Sequence, residues 1–486
     1  MLGKVETIVF LSLVLDLFAF TIPLPLFPRI VDWYRTREAS DPNGFLSRTL
    51  WSVQALRSFL YTAPEGRENA RWDVVLLGGL MGSLFSTLQF LVSPRIGALS
   101  DKYGRKNILL LTMVGNLLSA IVWIQSTTFA SFLLARAIGG LSEGNVQLAI
   151  AILSDVTTPE ARSKALSLVG IAFSICFCIG PPIGAWFALQ PASNLSFAKG
   201  FELNIYAWPA ILTLILLSAE TVFLAVALPE TRGKSAAAFK QAEKTNGHAS
   251  GNGHANGNGH TNGHANGKAV ATKRPAAERL ATLKSLKIIH FFFLALFSGV
   301  EFTITFLTYD LFDWSNVQNG RLIGFMGIIS ALLQGGYVRR AIPKVGEGVM
   351  ARRGVQACTM ALLLLAALPR LLQTSFATKF LYAAAASLAF TSATVVNSLN
   401  AYASVQCDEG VDTETGKPIA EDPRLAKGRA MGEYRSWGQL GRAIGPILAC
   451  ASYWTFGPSF TYATTACATT LLVMHMKSIA GKAQKS

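Results

Sequence analysis

The chain has 486 residues, of which 51% are hydrophobic and 15% charged, well below the roughly 25% charged residues of a soluble domain. That deficit excludes a chain of water-facing globular domains. The net charge of +15 would suggest a nucleic-acid partner in a soluble protein. Here Lys and Arg lie mainly in short segments between apolar runs, which reads as a membrane protein with one basic face and no nucleic-acid partner.

Apolar runs long enough to cross a hydrocarbon core of ~30 Å recur about twelve times. The first, Ile8–Ile30, contains Asp16 and prolines. It is too long for a signal-peptide core and no small-residue cleavage site follows, so it is expected to remain as a first helix. A long loop, Val31–Asp73, leads to the second span, Val74–Ser93, which carries Gln89. Then comes the segment Gly97-Ala-Leu-Ser-Asp101-Lys-Tyr-Gly104-Arg105-Lys106. Its glycines allow a tight turn and close helix approach. Asp101 ends a helix where it can pair with a cation or face another helix's N-terminus, and Arg105 and Lys106 hold the turn on one face.

The third span, Asn107–Gln125, contains Asn116, and the fourth, Ala130–Ser154, contains Arg136-Ala-Ile-Gly-Gly140, Glu143, Asn145 and Gln147. The fifth, Ser163–Ala188, holds Gly170 and Gly180-Pro181-Pro182-Ile-Gly184; the sixth, Ile205–Leu228, holds Glu220. Next is a tract rich in Asn, Gly and His, 246–267. It has almost no apolar mass to offset ordering entropy and is expected to be disordered. Its four histidines (His248, His254, His260, His264) read as part of a solvated linker, not a metal site. An Asn194-Leu-Ser196 sequon lies close to the membrane.

The second set of spans is Leu286–Thr308 with Glu301, Leu322–Tyr337, Val355–Leu368, Phe376–Ala403 with Asn397 and Asn400, Ala430–Tyr453 with Arg442 and Gly445-Pro446, and Ser459–Lys477. This divides the chain into a six-helix half at 1–234, a linker at 235–283 and a second six-helix half at 284–486. The turns around Arg95–Lys106, Arg162–Lys164, Arg232–Lys287 and Arg339–Arg353 are basic, whereas Ser126–Thr128 and Gly457–Pro458 lack Lys and Arg. That asymmetry predicts that both termini lie in the cytoplasm. The arginines of Val31–Asp73 run against it, but they alternate with Asp32, Glu38, Asp41, Glu65 and Glu68, and the rule weakens over long loops.

Charges inside spans are costly and mark function or helix pairing. Asp16, Arg136, Glu143 and Glu301 are the candidates for carrying or controlling a proton, with Glu301, set among Phe and Val, expected to be desolvated. Arg136 and Arg442 can attract an anion or pair with Glu143 and Glu301. Arg442, Gln89, Asn116, Asn145, Asn397 and Asn400 are candidates for substrate contact, though such groups also bond helix to helix. The six cysteines read as small apolar residues.

Gly97–Lys106 resembles the signature of the major facilitator superfamily between its second and third helices, with Lys102 where the family often has Arg. A degraded copy, Gly336-Tyr-Val-Arg339-Arg340-Ala-Ile-Pro-Lys344, lacks the Asp. By resemblance, Arg136 matches an arginine implicated in proton coupling, and Gly180, Pro181 and Gly184, echoed by Gly445 and Pro446, match a helix-bending motif of drug/proton exchangers. Segments around Asp16, Gly79–Phe90, Phe297–Leu307 and Arg435–Pro446 are similar to eukaryotic tetracycline-transporter-like proteins.

The resemblance implies an all-α membrane fold of two six-helix halves. It also implies proton-coupled antiport of a small organic, amphipathic or anionic compound by alternating access, without cofactor or resident metal, by a monomer. The chain shows no P-loop and no nucleophile–base constellation, so neither an ATP-driven pump nor an enzyme is expected. A uniporter on the same fold, or a membrane sensor whose linker recruits partners, are the alternatives. The sequence does not separate plasma from vacuolar or endolysosomal membrane.

Overall fold

A computed structural model describes residues 3–23, 26–60, 69–188, 207–232, 275–314, 316–407, 410–411, 418–419 and 422–483. The Asn/Gly/His tract with its four histidines and the 194–196 sequon lie outside the described residues.

The helices, in chain order, are α1 (Lys4–Thr21), α2 (Phe27–Arg37), α3 (Phe45–Leu60), α4 (Asn69–Tyr103), α5 (Arg105–Ile124), α6 (Phe129–Ser142), α7 (Asn145–Val156), α8 (Pro159–Ala188) and α9 (Ala207–Ala227). The second set is α10 (Ala276–Phe312), α11 (Asn316–Leu332), α12 (Arg339–Val345), α13 (Glu347–Leu371), α14 (Ala377–Gln406), α15 (Lys427–Phe456) and α16 (Pro458–Ala483). A two-residue antiparallel pairing, Gly410–Val411 with Pro418–Ile419, sits in the loop before α15. Together the described helices make twelve passes, six in each half. Two passes are composite: α6 with α7, and α11 with α12 through a π-helical turn at Leu333–Val338. Seven described stretches are long and apolar enough to cross a membrane on composition alone. The other passes include α1, which carries Lys4, Glu6 and Asp16; the broken α6–α7 pair; and α15, whose interior holds Arg435 and Arg442.

Several expected spans differ in form. The first was expected to run unbroken over Ile8–Ile30; α1 stops at Thr21, before Pro23, and the chain restarts as α2, with Pro28 in its first turn. Proline lacks the N–H that would continue the ladder. The fourth, expected as one helix over Ala130–Ser154, breaks at Glu143-Gly144. The seventh begins at Ala276, inside the stretch assigned to the linker. There Leu283 is buried and Arg279 donates from Nε to the Gln406 carbonyl at 2.8 Å, so these charged turns are anchored. The expected turn at Gly97–Lys106 is helical up to Tyr103 and reverses at Gly104 alone, whose φ of 98° suits glycine.

The two halves meet mainly where α4 packs along α15 and where α8 packs against α11 and α14. Gly97 and Gly428 bring α4 and α15 together so closely that a Cβ on either would overlap the other's backbone. Such contacts let helices associate without bulky side chains between them.

Candidate functional site

α6 ends on Glu143, whose φ of −70° and ψ of 101° leave the helix, and α7 restarts after Gly144. Within a membrane, non-helical backbone is tolerated where it is buried in protein or lines a cavity. Here it does both. A cavity of about 80 Å³ lies inside the first half, and its lining includes Asp16, Phe20, Asn116, Arg136, Glu143 and Thr213. That is room for a few water molecules, not for a drug-sized compound.

Asp16 is 5% exposed. It accepts a hydrogen bond from Asn145 Nδ2 at 2.6 Å, and Asn145 Oδ1 accepts one from the Thr112 hydroxyl at 3.2 Å. Arg136 lies over the ring of Phe85, 4.5 Å from its centroid, an attraction of cation for aromatic face. From the other half, Arg435 on α15 lies within electrostatic reach of Asp16 and Glu143. Two acids of one half thus face a cation of the other.

The remaining candidates fall elsewhere. Glu301 on α10 and Arg442 on α15 both have accessible side chains, and the two act on each other electrostatically. Helix α10 turns its apolar residues, Phe297 and Val300 among them, into the core and leaves position 301 outside it. Gln89 is buried on α4 and Asn400 on α14; Asn397 is buried and bonds back to the Ala393 carbonyl. None of these three lines the cavity. Gly180 lets α8 approach α1 at Thr21, and Gly445 lets α15 approach α10 at Ala295. Pro181 and Pro446 lie inside their helices, and Gly184 is buried on α8.

On the side of the molecule that bears both termini, Asp101 accepts N–H bonds from Gly428 at 2.9 Å and Arg429 at 2.7 Å, at the start of α15. Arg105 joins Asp101 at 2.7 Å and Asp155 at 3.0 Å, and Lys427 reaches Asp155 at 3.2 Å. Lys106 Nζ donates to the Ala225 carbonyl at 2.7 Å. Glu230 caps α5 by accepting from the N–H groups of Arg105 and Lys106.

The second half has its own version of this turn. Gly346 repeats the left-handed backbone of Gly104 with φ of 84°, and the acid missing from the degraded copy stands just after it, as Glu347. Glu347 accepts a hydrogen bond from the Ser163 hydroxyl on α8, while the neighbouring Arg162 donates to the Ser404 carbonyl of α14 at 3.2 Å. The halves are therefore held together on this side by both turns.

Sequence reasoning passed over Arg435, Glu230, Asp155 and Glu347. Arg435 was legible as a charge inside the span Ala430–Tyr453. The other three are acids at helix ends, and nothing local in the sequence marks their partners.

The sequence profile of the Major Facilitator Superfamily matches residues 9–446. The chain belongs to that superfamily. Human major facilitator superfamily domain-containing protein 10 is 34% identical over 463 residues, 95% of this chain and 90% of its own length. A solved structure described as the human organic anion transporter MFSD10 (TETRAN) superposes with a TM-score of 0.74 at 31% identity, covering 97% of this chain and 99% of that one. The class H tetracycline resistance protein of Pasteurella multocida is 34% identical over 106 residues, 22% of this chain and 26% of its own. This major facilitator chain is therefore a multi-pass membrane transporter of small molecules, not an enzyme.

Proposed function

We propose that the protein is a proton-coupled antiporter that exports small organic anions or amphipathic, tetracycline-like compounds. The observation that carries this reading is the placement of Arg435, on the second half, within electrostatic reach of Asp16 and Glu143 on the first. While the acids are ionised they attract Arg435 and favour one packing of the halves. Protonation removes that attraction and frees the halves to rock, so the proton gradient is converted into alternating access. An anionic substrate near Arg435 or the exposed Arg442 competes with the acids for the same cations, which makes proton and anion alternate. The likeness to a human organic anion transporter and to a tetracycline resistance protein supports the substrate class.

The basic turns support placing the termini, and with them the Asp101 and Glu347 contacts, on the cytoplasmic side. The protein is taken as a functional monomer whose halves are joined by the linker.

The test is flux in proteoliposomes over a panel of organic anions and tetracycline, with and without an imposed pH gradient. Wild type should show gradient-driven flux of at least one compound, and Asp16→Asn should lose it while keeping substrate exchange. Wild-type flux indifferent to the gradient would make the protein a uniporter.

A further inference from the structure

Ala210, Thr213, Leu217, Glu220 and Leu224 are the buried face of α9, spaced three and four residues apart as one side of a helix requires. Thr213 and Leu217 line the cavity, and the Thr213 hydroxyl donates to the Ala19 carbonyl at 3.3 Å, tying this face to α1. Glu220 is the next residue along the same face. It is 1% exposed, and among the described residues its Oε2 has no hydrogen-bond partner. No ion pair reaches it among the described residues.

The charged and titratable groups around it come from α1, α6, α8 and α15, while α5, packed along α9, carries its charges, Arg105 and Lys106, in its first turn beside Glu230 and Ala225. Asp16 of α1 and Glu143 at the break act on Glu220 directly. Arg136 of α6 lines the cavity with Thr213 and with Leu217, which lies one turn from Glu220. Arg435 of α15 acts on Asp16 and Glu143, and Cys176 of α8 lies near Asp16. The helices packed on α9 present carboxylates to Glu220 and no cation at pairing distance. An acid with that surrounding is not half of a structural salt bridge. Ionising it in the membrane without a cation is costly, and a bound proton removes the cost.

We infer that Glu220 is a second proton-binding carboxyl group of the transport cycle, exchanging its proton with Asp16 through water that enters from the neighbouring cavity past Leu217. The step is a transfer: the Asp16 carboxyl gives up its proton to water, water passes one to the Glu220 carboxylate, and Asp16 is left ionised to meet Arg435. This rests on the proton-antiport reading and adds to it a second carrier on α9.

The experiment measures protons moved per substrate in proteoliposomes, for wild type, Asp16→Asn, Glu220→Gln and Glu220→Asp, alongside substrate exchange without a gradient. Glu220→Gln should keep exchange within about twofold of wild type, while its protons per substrate fall about twofold, as expected when one of two carriers is removed. Glu220→Asp, which keeps a carboxyl group, should restore the ratio with an altered pH profile. An unchanged ratio and pH profile in Glu220→Gln, in a wild type that does couple to protons, would reduce Glu220 to a packing residue. If Glu220→Gln does not fold, Glu220→Asp decides: a wild-type pH profile contradicts the inference, and a shifted one supports it. A wild type that moves no protons with its substrate overturns the inference and the antiport reading together, and that failure is read in the wild-type sample alone.

Discussion

Asn145 donates a 2.6 Å hydrogen bond to Asp16 from the first turn after the break in the fourth membrane pass. The same side chain is held by Thr112, so α5, α7 and α1 are joined at one buried acid. A hydrogen bond to an ionised group is worth about 1.5–3 kcal/mol. Asn145→Ala should therefore cut gradient-driven flux about tenfold or more, with exchange much less affected. Paired flux assays on one preparation check this; equal loss of both activities would mean that Asn145 acts through packing.

Arg435 is the cation of the second half that acts on the buried acids Asp16 and Glu143 of the first. Arg435→Gln should uncouple the gradient from flux, because the acids then have no cation across the interface to gain or lose. Arg435→Lys should retain part of the coupling, since it keeps the charge. Gradient-driven flux at the wild-type level in Arg435→Gln would remove the basis of the proposed coupling.

Glu301 and Arg442 act on each other from α10 and α15, both outside the packed core. Removing the carboxylate leaves Arg442 more attractive to an anion. Glu301→Gln should lower the KM for an anionic substrate about two- to fivefold, with little change for a neutral one and with proton coupling intact. Loss of coupling in this variant would return Glu301 to the role that its place in the sequence suggests.

Asp101 caps the start of α15 with two charge-assisted bonds, an arrangement worth about 1–2 kcal/mol. Asp101→Ala should shift the population about tenfold toward the form open on the terminus side. A single cysteine placed on α15 near Gly428, in a background without the native cysteines, would report this as faster labelling by an impermeant thiol reagent applied to that side. Double substitution with Glu347→Ala should enlarge the shift, since the two contacts hold different helices.

The membrane passes were legible because each needs an apolar run about 20 residues long, which few other structures require. Their interruptions were not. Glu143-Gly144 sits in a run that is apolar on both sides, and only the backbone, which leaves the helix at Glu143 beside the cavity, shows that the helix breaks there. The start of α10 looked like linker because Glu278 and Arg279 are charged. Arg279 is nonetheless buried against the end of α14, and Lys287 pairs with Glu433. The buried acids Asp16 and Glu143 could be nominated from sequence, since charge at depth is conspicuous. Their opposite number, Arg435, could not be assigned to them, because nothing along the chain indicates that residues about three to four hundred positions apart in different halves act on one another. That Glu301 lies outside the packed core was not legible either: apolar neighbours in sequence are spread around a helix, and on α10 they leave position 301 on the outer side.

The central claim is that substrate and protons move in opposite directions through one cycle, and the most direct measurement is the pH inside sealed proteoliposomes. A pH-sensitive dye is trapped in the lumen and an organic anion or tetracycline is added outside without any imposed gradient. The account predicts a change in lumenal pH that tracks substrate entry in wild type and vanishes in Asp16→Asn. Substrate entry with no change in lumenal pH in the wild type would contradict it.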